Sequence, residues 1–437
     1  MPVRILHFAD AHIDIANYGR HDPTTGLPQR VVDFLASLDQ IIDAAIAERV
    51  DLVIFAGDAY KDRNPQPTFQ RAWGERMMRL SRAGIPTLLL VGNHDVAPAD
   101  NRANTLQEFA TLAVPRIFVA DNLKLWTPAE LGLPVQVLAL PWVTRSRYGA
   151  RHDTTGMTLE QVYGLMLTLV QEAFEQTLAN EVDPALPLIL TAHASVQGAR
   201  LGSERQIMLG HELVLSEGMV SDPRFDYVAL GHIHKHQSLH AQPPVVYPGS
   251  IERIDFGEAG EKKGYVLAEV ARGHTEWRFV PLKTRPFVDL FIKSSDLRAD
   301  SFMDDLMGYL PSAERLAGAI CRVQVEFAQE HEALLDEKQI RDHFADAFDF
   351  RLVKHRLGAE RGRLPSGMAI EMLSPYELLT IHWRLKGRAD AEIDALLALA
   401  RQVLAISPDA GDAPTAPASP PNPVSYTHLT LPTSDLV

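Results

Sequence analysis

The chain has 437 residues, of which 46% are hydrophobic and 22% charged, and its net charge is −14. That composition fits a folded globular protein of two or three domains and excludes a fibrous or low-complexity chain. A single cysteine, Cys321, excludes an internal disulfide and fits a reducing cytoplasm. The start lacks the long apolar stretch of a secretory signal, and no run approaches the ~18 apolar residues of a membrane helix. The acidity argues mildly against free-standing nucleic-acid binding, because neutralising phosphates supplies much of such affinity. A DNA substrate would need basic residues gathered locally, or positive surface lent by a partner.

In chain order, apolar strand-like runs alternate with amphipathic helices up to about residue 270. Strands are predicted over residues 3–9, 52–56, 86–91, 135–140, 187–191, 227–230, 245–247 and 264–270. Helices are predicted over 31–48, 69–83, 104–112 and 159–179. Short apolar strands between longer amphipathic stretches predict an α/β sandwich with buried sheets. The later strands lie closer together, which predicts some antiparallel pairing. Beyond Thr284-Arg285-Pro286 the pattern becomes strand, helix, strand, helix, strand over 287–292, 301–309, 321–327, 338–348 and 350–357. This is a small α+β unit. Ser374-Pro375-Tyr376-Glu377 then reads as a capping-box start, opening a helix that ends near Gly387. A second helix over 389–405 puts Ile393, Leu396, Leu397, Ala400 and Leu404 on one face. Residues 407–423 are Pro/Ala/Ser-rich and read as a linker. Residues 424–437 look like translated adapter sequence, so no function is assigned there.

Five segments share one design, in which an apolar strand runs into a loop bearing metal-binding groups. They are Asp10-Ala11-His12, Gly57-Asp58, Gly92-Asn93-His94-Asp95, Ala192-His193 and Gly231-His232-Ile233-His234. Strand ends of an α/β sheet are where functional groups gather. Glycine beside a ligand lets the backbone turn sharply or approach closely. Carboxylate, imidazole and an amide oxygen suit divalent manganese, iron, zinc or magnesium, and the lack of thiolates removes the usual structural zinc site. An Asp-x-His pair or a lone Gly-Asp says little, but Gly-Asn-His-Asp and Gly-His-x-His behind apolar strands are specific. His7 lies inside the first strand and reads as a core residue. His236 and His240 fit neither motif nor strand end, and His21, His152 and His211 have no motif around them.

In order and spacing these segments resemble the calcineurin-like metallophosphoesterase superfamily. Within it they look like the SbcD-type nuclease subunits of bacterial SbcCD exonucleases, relatives of the archaeal and eukaryotic break-repair nucleases. The resemblance runs from Met1 to about Ala405 and is weaker beyond Arg285. It implies a four-layer α/β/β/α sandwich over residues 1–284 and an α+β DNA-capping domain over 285–373. It further implies a helical pair over 374–406 that docks an SbcC-type ATPase, with 407–437 as linker and tail. Asp10, His12, Asp58 and His234 would hold one divalent cation. Asp58, Asn93, His193 and His232 would hold the other, with Asp58 bridging. The expected metal is Mn²⁺, with Mg²⁺, Fe²⁺ or Zn²⁺ as alternatives. His94 would act on the scissile phosphate, and Asp95 would orient His94.

The implied activity is exo- and endonucleolytic hydrolysis of DNA ends and hairpins, in repair, replication and recombination. The implied assembly is a homodimer within an ATP-regulated heterotetramer, in the cytoplasm at the nucleoid. The chain departs from its archaeal relatives at Lys61, where they carry a histidine linked to exonuclease action. A second basic feature is the stretch Arg351, Lys354, His355, Arg356, Arg361 and Arg363, which either tracks a DNA backbone or forms a solvated face. Two other functions stay open. One is a phosphatase or phosphodiesterase acting on a small molecule or phosphoprotein, because the same metal core serves such reactions. The other is a catalytically silent DNA-end scaffold, which the complete ligand set disfavours.

Overall fold

The computed structural model describes residues 2–97, 102–144, 154–200, 202, 213–357, 375–385 and 388–405. Two six-stranded sheets form the larger part. The first runs in the order His274–Pro281, Gly264–Ala271, Val3–Phe8, Leu52–Phe55, Thr87–Leu90, Ile117–Ala120. The second runs Gln237–Ala241, Pro244–Tyr247, Tyr227–Gly231, Leu188–His193, Gln136–Leu140, Lys124–Trp126. The central pairs are parallel. The antiparallel pairs expected late in the sequence join Gly264–Ala271 to its neighbours and Gln237–Ala241 to Pro244–Tyr247.

Alternation along each strand builds the layers, because successive side chains point to opposite faces. Val3, Ile5, Leu52, Ile54, Leu88 and Leu90 pack with Val137, Ala139, Ile189 and Ala229 between the sheets. Leu6, Phe8, Val53, Phe55 and Leu89 face the other way, onto Phe34 and Leu38 of helix Gln29–Ala47 and Trp73 of helix Pro67–Arg82. Leu138, Leu190 and Ala192 of the second sheet meet Met166, Val170 and Phe174 of helix Leu159–Asn180. The result is the α/β/β/α sandwich. His7 points between the sheets as the core histidine the strand predicted. It hydrogen-bonds the Tyr227 hydroxyl at 3.0 Å and the Leu230 carbonyl at 3.1 Å, and burial drops its pKa to about 3.

A three-stranded sheet of Phe287–Ile292, Ile320–Ala328 and Asp349–Leu357 follows, with its own apolar core around Leu306, Val323, Phe327 and Ile340. Residues Met1–His355 form one compact unit. Arg285 ties this sheet to the sandwich through two bonds to Asp33, at 2.6 and 2.7 Å. Phe256, Phe287 and Tyr18 pack edge-on beside it. The last described part is a separate unit containing helices Pro375–Leu385 and Asp390–Ala405. There Ile393 is buried and Leu396, Leu397 and Ala400 are half-buried, four of the five residues of the expected apolar face; the side chain of the fifth, Leu404, lies outside the described residues. Ser374, Arg361, Arg363, His152, His211 and the 407–437 tail lie outside the described residues. Among the described residues, no helix is long and apolar enough to cross a membrane.

Candidate metal centre

All five loops emerge at one edge of the sandwich. Three follow the neighbouring parallel strands Val3–Phe8, Leu52–Phe55 and Thr87–Leu90 of the first sheet. The other two follow Leu188–His193 and Tyr227–Gly231, which are parallel neighbours in the second. The loops also hold one another. Asp10 donates its N–H to the Gly57 carbonyl at 2.9 Å, and Ala11 donates to the Asp58 carbonyl at 2.8 Å. The His232 N–H lies 3.1 Å from both Asp10 carboxylate oxygens.

This convergence strains the backbone. Asp10, His12, Asp58 and His232 have φ of 52°, 40°, 64° and 99°. Such conformations cost roughly 1–3 kcal/mol each and persist where the surroundings over-determine them. Close approach explains two of the glycines. A Cβ on Gly92 would sit 2.2 Å from Asp58 Oδ1, and one on Gly57 would sit 2.2 Å from His193 Nδ1.

Two donor groups result, Asp10/His12/His234 and Asp58/His193/His232. One oxygen faces both: Asp58 Oδ2 is 3.8 Å from His12 Nε2 and 3.3 Å from His193 Nε2. Asn93 Oδ1 completes the second group, 3.0 Å from both His193 Nε2 and His232 Nδ1.

The acceptors behind the rings fix where their protons sit. The Tyr60 carbonyl accepts from His12 Nδ1 at 3.1 Å, and Glu258 accepts from His234 Nδ1 at 3.0 Å. Each ring then turns a lone pair inward at Nε2, and these two Nε2 atoms face each other at 3.2 Å. The Ala56 carbonyl does the same for His193, accepting from Nδ1 at 2.6 Å. With no proton there, its Nε2 lone pair would meet the Asn93 amide oxygen and the Asp58 carboxylate. Acceptors facing acceptors repel unless something positive lies among them. A divalent cation in each group relieves that, and the donor set suits one.

Charge points the same way. Burial would raise the Asp58 carboxyl, but His193, His94 and His12 outweigh it and hold Asp58 far below the usual range. Burial is the largest influence on Asp10, pushed up to about 7, and on His12, pushed down to about 3. For His193 burial acts downward, yet Asp58 and Asp10 push it up to about 9. A cation would supply that positive charge without a proton.

His94 stands apart from both groups, at the rim of a cavity of about 900 Å³ that His12, Asp14, Lys61, Phe69 and His234 also line. Its backbone N–H donates to Asp58 Oδ1 at 2.8 Å, and its ring Nδ1 to the Lys61 carbonyl at 2.5 Å. Asp95 takes a different part from the one expected. Its carboxylate accepts from the backbone N–H groups of Asp58 at 2.7 Å, Ala59 at 3.0 Å and Gly92 at 3.0 Å. The carboxylate is therefore occupied by the loops, and the Lys61 carbonyl is what holds the His94 ring.

Asp14 is another supporting group that sequence reasoning missed, accepting the Lys61 and Asp62 N–H groups. So are Trp142, whose ring lies 4.9 Å from that of His232, and Glu258 with Lys263. Trp142 follows an apolar strand, so the strand-end rule could have found it. His236 stacks on Phe279 and His240 bonds the Pro243 carbonyl, and neither belongs to a donor group.

A family profile described as calcineurin-like phosphoesterase matches residues 3–236, more than half of the chain. Among solved structures, a dimetal phosphatase from Danio rerio is 12% identical with a TM-score of 0.36, and the match covers 65% of this chain and 100% of that one. A Thermus thermophilus protein is 16% identical with a TM-score of 0.35, covering 64% and 99%. Likeness at that level leaves the substrate open.

Proposed function

Because the chain belongs to the calcineurin-like phosphoesterase family, we propose that it is a two-metal DNA nuclease. In this reading it is the SbcD-type subunit of an ATP-regulated complex that processes DNA ends and hairpins. The observation that carries the metal chemistry is the shared Asp58 oxygen between two facing donor groups. Asp10, His12, Asp58 and His234 hold one cation, and Asp58, Asn93, His193 and His232 the other. Mn²⁺ is the expected ion. When bound, such a pair supplies Lewis acidity, neutralising phosphoryl oxygens and easing deprotonation of water. His94 donates through Nδ1 to Lys61 and so presents Nε2 to the cavity, where it stabilises charge on the phosphate or protonates the leaving oxygen.

The three-stranded sheet anchored through Arg285 supports a capping role toward DNA. The amphipathic helical pair, on which Leu399 is 58% exposed, supports docking of an SbcC-type ATPase. The working assembly in this reading is a homodimer within a heterotetramer, in the cytoplasm at the nucleoid.

The cavity is also the size of a small-ligand pocket, which favours a second reading as a phosphodiesterase or phosphatase of small esters. One experiment separates them. The Mn²⁺-loaded chain, with and without a co-expressed ATPase partner, is given blunt, overhanging and hairpin DNA. Bis-p-nitrophenyl phosphate and cyclic nucleotides run in parallel. Cleavage of DNA, stronger with the partner and abolished by chelation, is expected. Turnover of the small esters alone, with no DNA cut in either state, overturns the nuclease reading.

A further inference from the structure

Glu258 and Lys263 are buried to 0% and 1% exposure, in the segment between strands Pro244–Tyr247 and Gly264–Ala271. Charges that deep persist when they are paired and hydrogen-bonded. Lys263 Nζ lies 2.9 Å from Glu258 Oε2 and 2.8 Å from Glu261 Oε2. It also donates to the His234 carbonyl at 2.9 Å. Glu258 Oε2 accepts the Ile254 N–H at 3.0 Å, while Oε1 accepts from His234 Nδ1 at 3.0 Å. Lys263 thus grips His234 twice: at its backbone, and through the carboxylate that holds its ring.

We propose that Glu258 and Lys263 are positioning residues that set His234 for its cation, fixing its proton at Nδ1 and aiming Nε2 at His12 and Asp10. The inference rests on the two-cation reading above. His234 differs here from His12 and His193. His12 and His193 are held from behind by backbone carbonyls, which no substitution removes. His234 is held by an ionised side chain. A carboxylate behind an imidazole raises its basicity as a ligand, and loss of such a partner typically costs about 10–100-fold in metal affinity. The effect falls on one cation, because His234 belongs to the Asp10/His12 group and not to the Asp58/His193/His232 group.

The test is Mn²⁺ binding to the full chain without DNA, by titration calorimetry and electron paramagnetic resonance. Glu258→Gln/Lys263→Met removes both charges together and leaves neither buried alone. Glu258→Gln singly leaves Lys263 paired with Glu261. In each folded variant one Mn²⁺ should bind as in the parent and the other about 10–100-fold more weakly. With metal supplied at the level that just fills both sites of the parent, the coupled-pair spectrum should give way to an isolated Mn²⁺ signal. A folded variant holding both ions as tightly as the parent overturns the proposal. A measurement on the parent needs no variant: ¹⁵N-histidine resonances of the metal-free chain should show His234 protonated at Nδ1. The Nε2–H tautomer there also overturns it. A parent that binds no Mn²⁺ pair would remove the two-cation reading itself, whereas a parent pair untouched by these substitutions removes only this inference.

Discussion

Asp95→Asn isolates how the loops are held, because it keeps the shape of the side chain and removes its charge. The Asn carbonyl would best replace Oδ2, which accepts from both Asp58 at 2.7 Å and Gly92 at 3.0 Å. The amide NH₂ then faces the Ala59 N–H where Oδ1 accepted at 3.0 Å, donor against donor. A buried donor left unmet costs about 1–3 kcal/mol, and two remaining bonds reduced from charged to neutral lose about 0.5–1 kcal/mol each. The sum is about 2–5 kcal/mol. Spread over a 355-residue unit at about 2.1 cal/mol/K per residue, it lowers the melting temperature by about 3–7 °C. Mn²⁺ affinity should fall as well, since the strained Asp58 backbone (φ 64°) is pinned by one of those bonds. Differential scanning calorimetry and metal titration read both. An Asp95→Asn chain that melts and loads like the parent would refute the reasoning, and would return Asp95 to the expected part of orienting His94.

Three further substitutions divide the site by role. Asp58→Asn should lower turnover by more than about 100-fold and disrupt the metal pair, as spectroscopy would show, because the shared oxygen loses its charge. His94→Gln should keep both cations in titration yet lose about 10²–10⁴-fold in kcat, since this ring lies outside the donor groups. Arg285→Ala removes both bonds to Asp33 and one to the Gly318 carbonyl. Limited proteolysis should then cut the segment joining the sandwich to the three-stranded sheet faster than in the parent.

What could be read from the chain alone follows the physics of burial. Leu52–Phe55 and Thr87–Leu90 are apolar at nearly every position because both faces of the sheet are covered, so they stood out. Lys124–Trp126, Gln237–Ala241 and His274–Pro281 were missed: they are edge strands with exposed polar positions and no clean run. The helix expected over 338–348 spans Glu337–His343 and ends where the Phe344 N–H bonds back to Ile340 and Arg341. In the site, ligands announce themselves by sitting next to one another in short motifs after strands. Their supports do not. Glu258 is 24 residues beyond His234 in a segment without strand or motif, and only the fold brings its carboxylate to the ring. The Tyr60, Ala56 and Lys61 carbonyls carry no sequence signal at all, because every residue has one.

The charge of the chain bears on how it would hold DNA. The basic stretch on strand Asp349–Leu357 is largely paired already. Lys354 is 2.8 Å from Glu337 and 3.8 Å from Glu332, and Arg351 is 3.2 Å from Asp349 with its guanidinium over the Tyr18 ring. On the neighbouring strand Arg322 pairs with Asp289 at 2.6 Å. A phosphate reaching these cations must first displace a carboxylate. With a net charge of −14, the isolated chain, in the two-metal nuclease reading, should therefore meet DNA mainly through the two proposed cations at Asp58. Each phosphate neutralised by protein cations contributes about −0.9 to the slope of log affinity against log salt. Anisotropy with a phosphorothioate duplex, between about 50 and 200 mM salt, should give the isolated chain a slope no steeper than about −3. In the nuclease reading, adding the proposed ATPase partner should steepen it, since that partner would supply the basic surface. A slope of about −6 for the isolated chain would mean roughly six or more phosphates bound by its own lysines and arginines, and the intramolecular pairs on the sheet could not then persist in the complex.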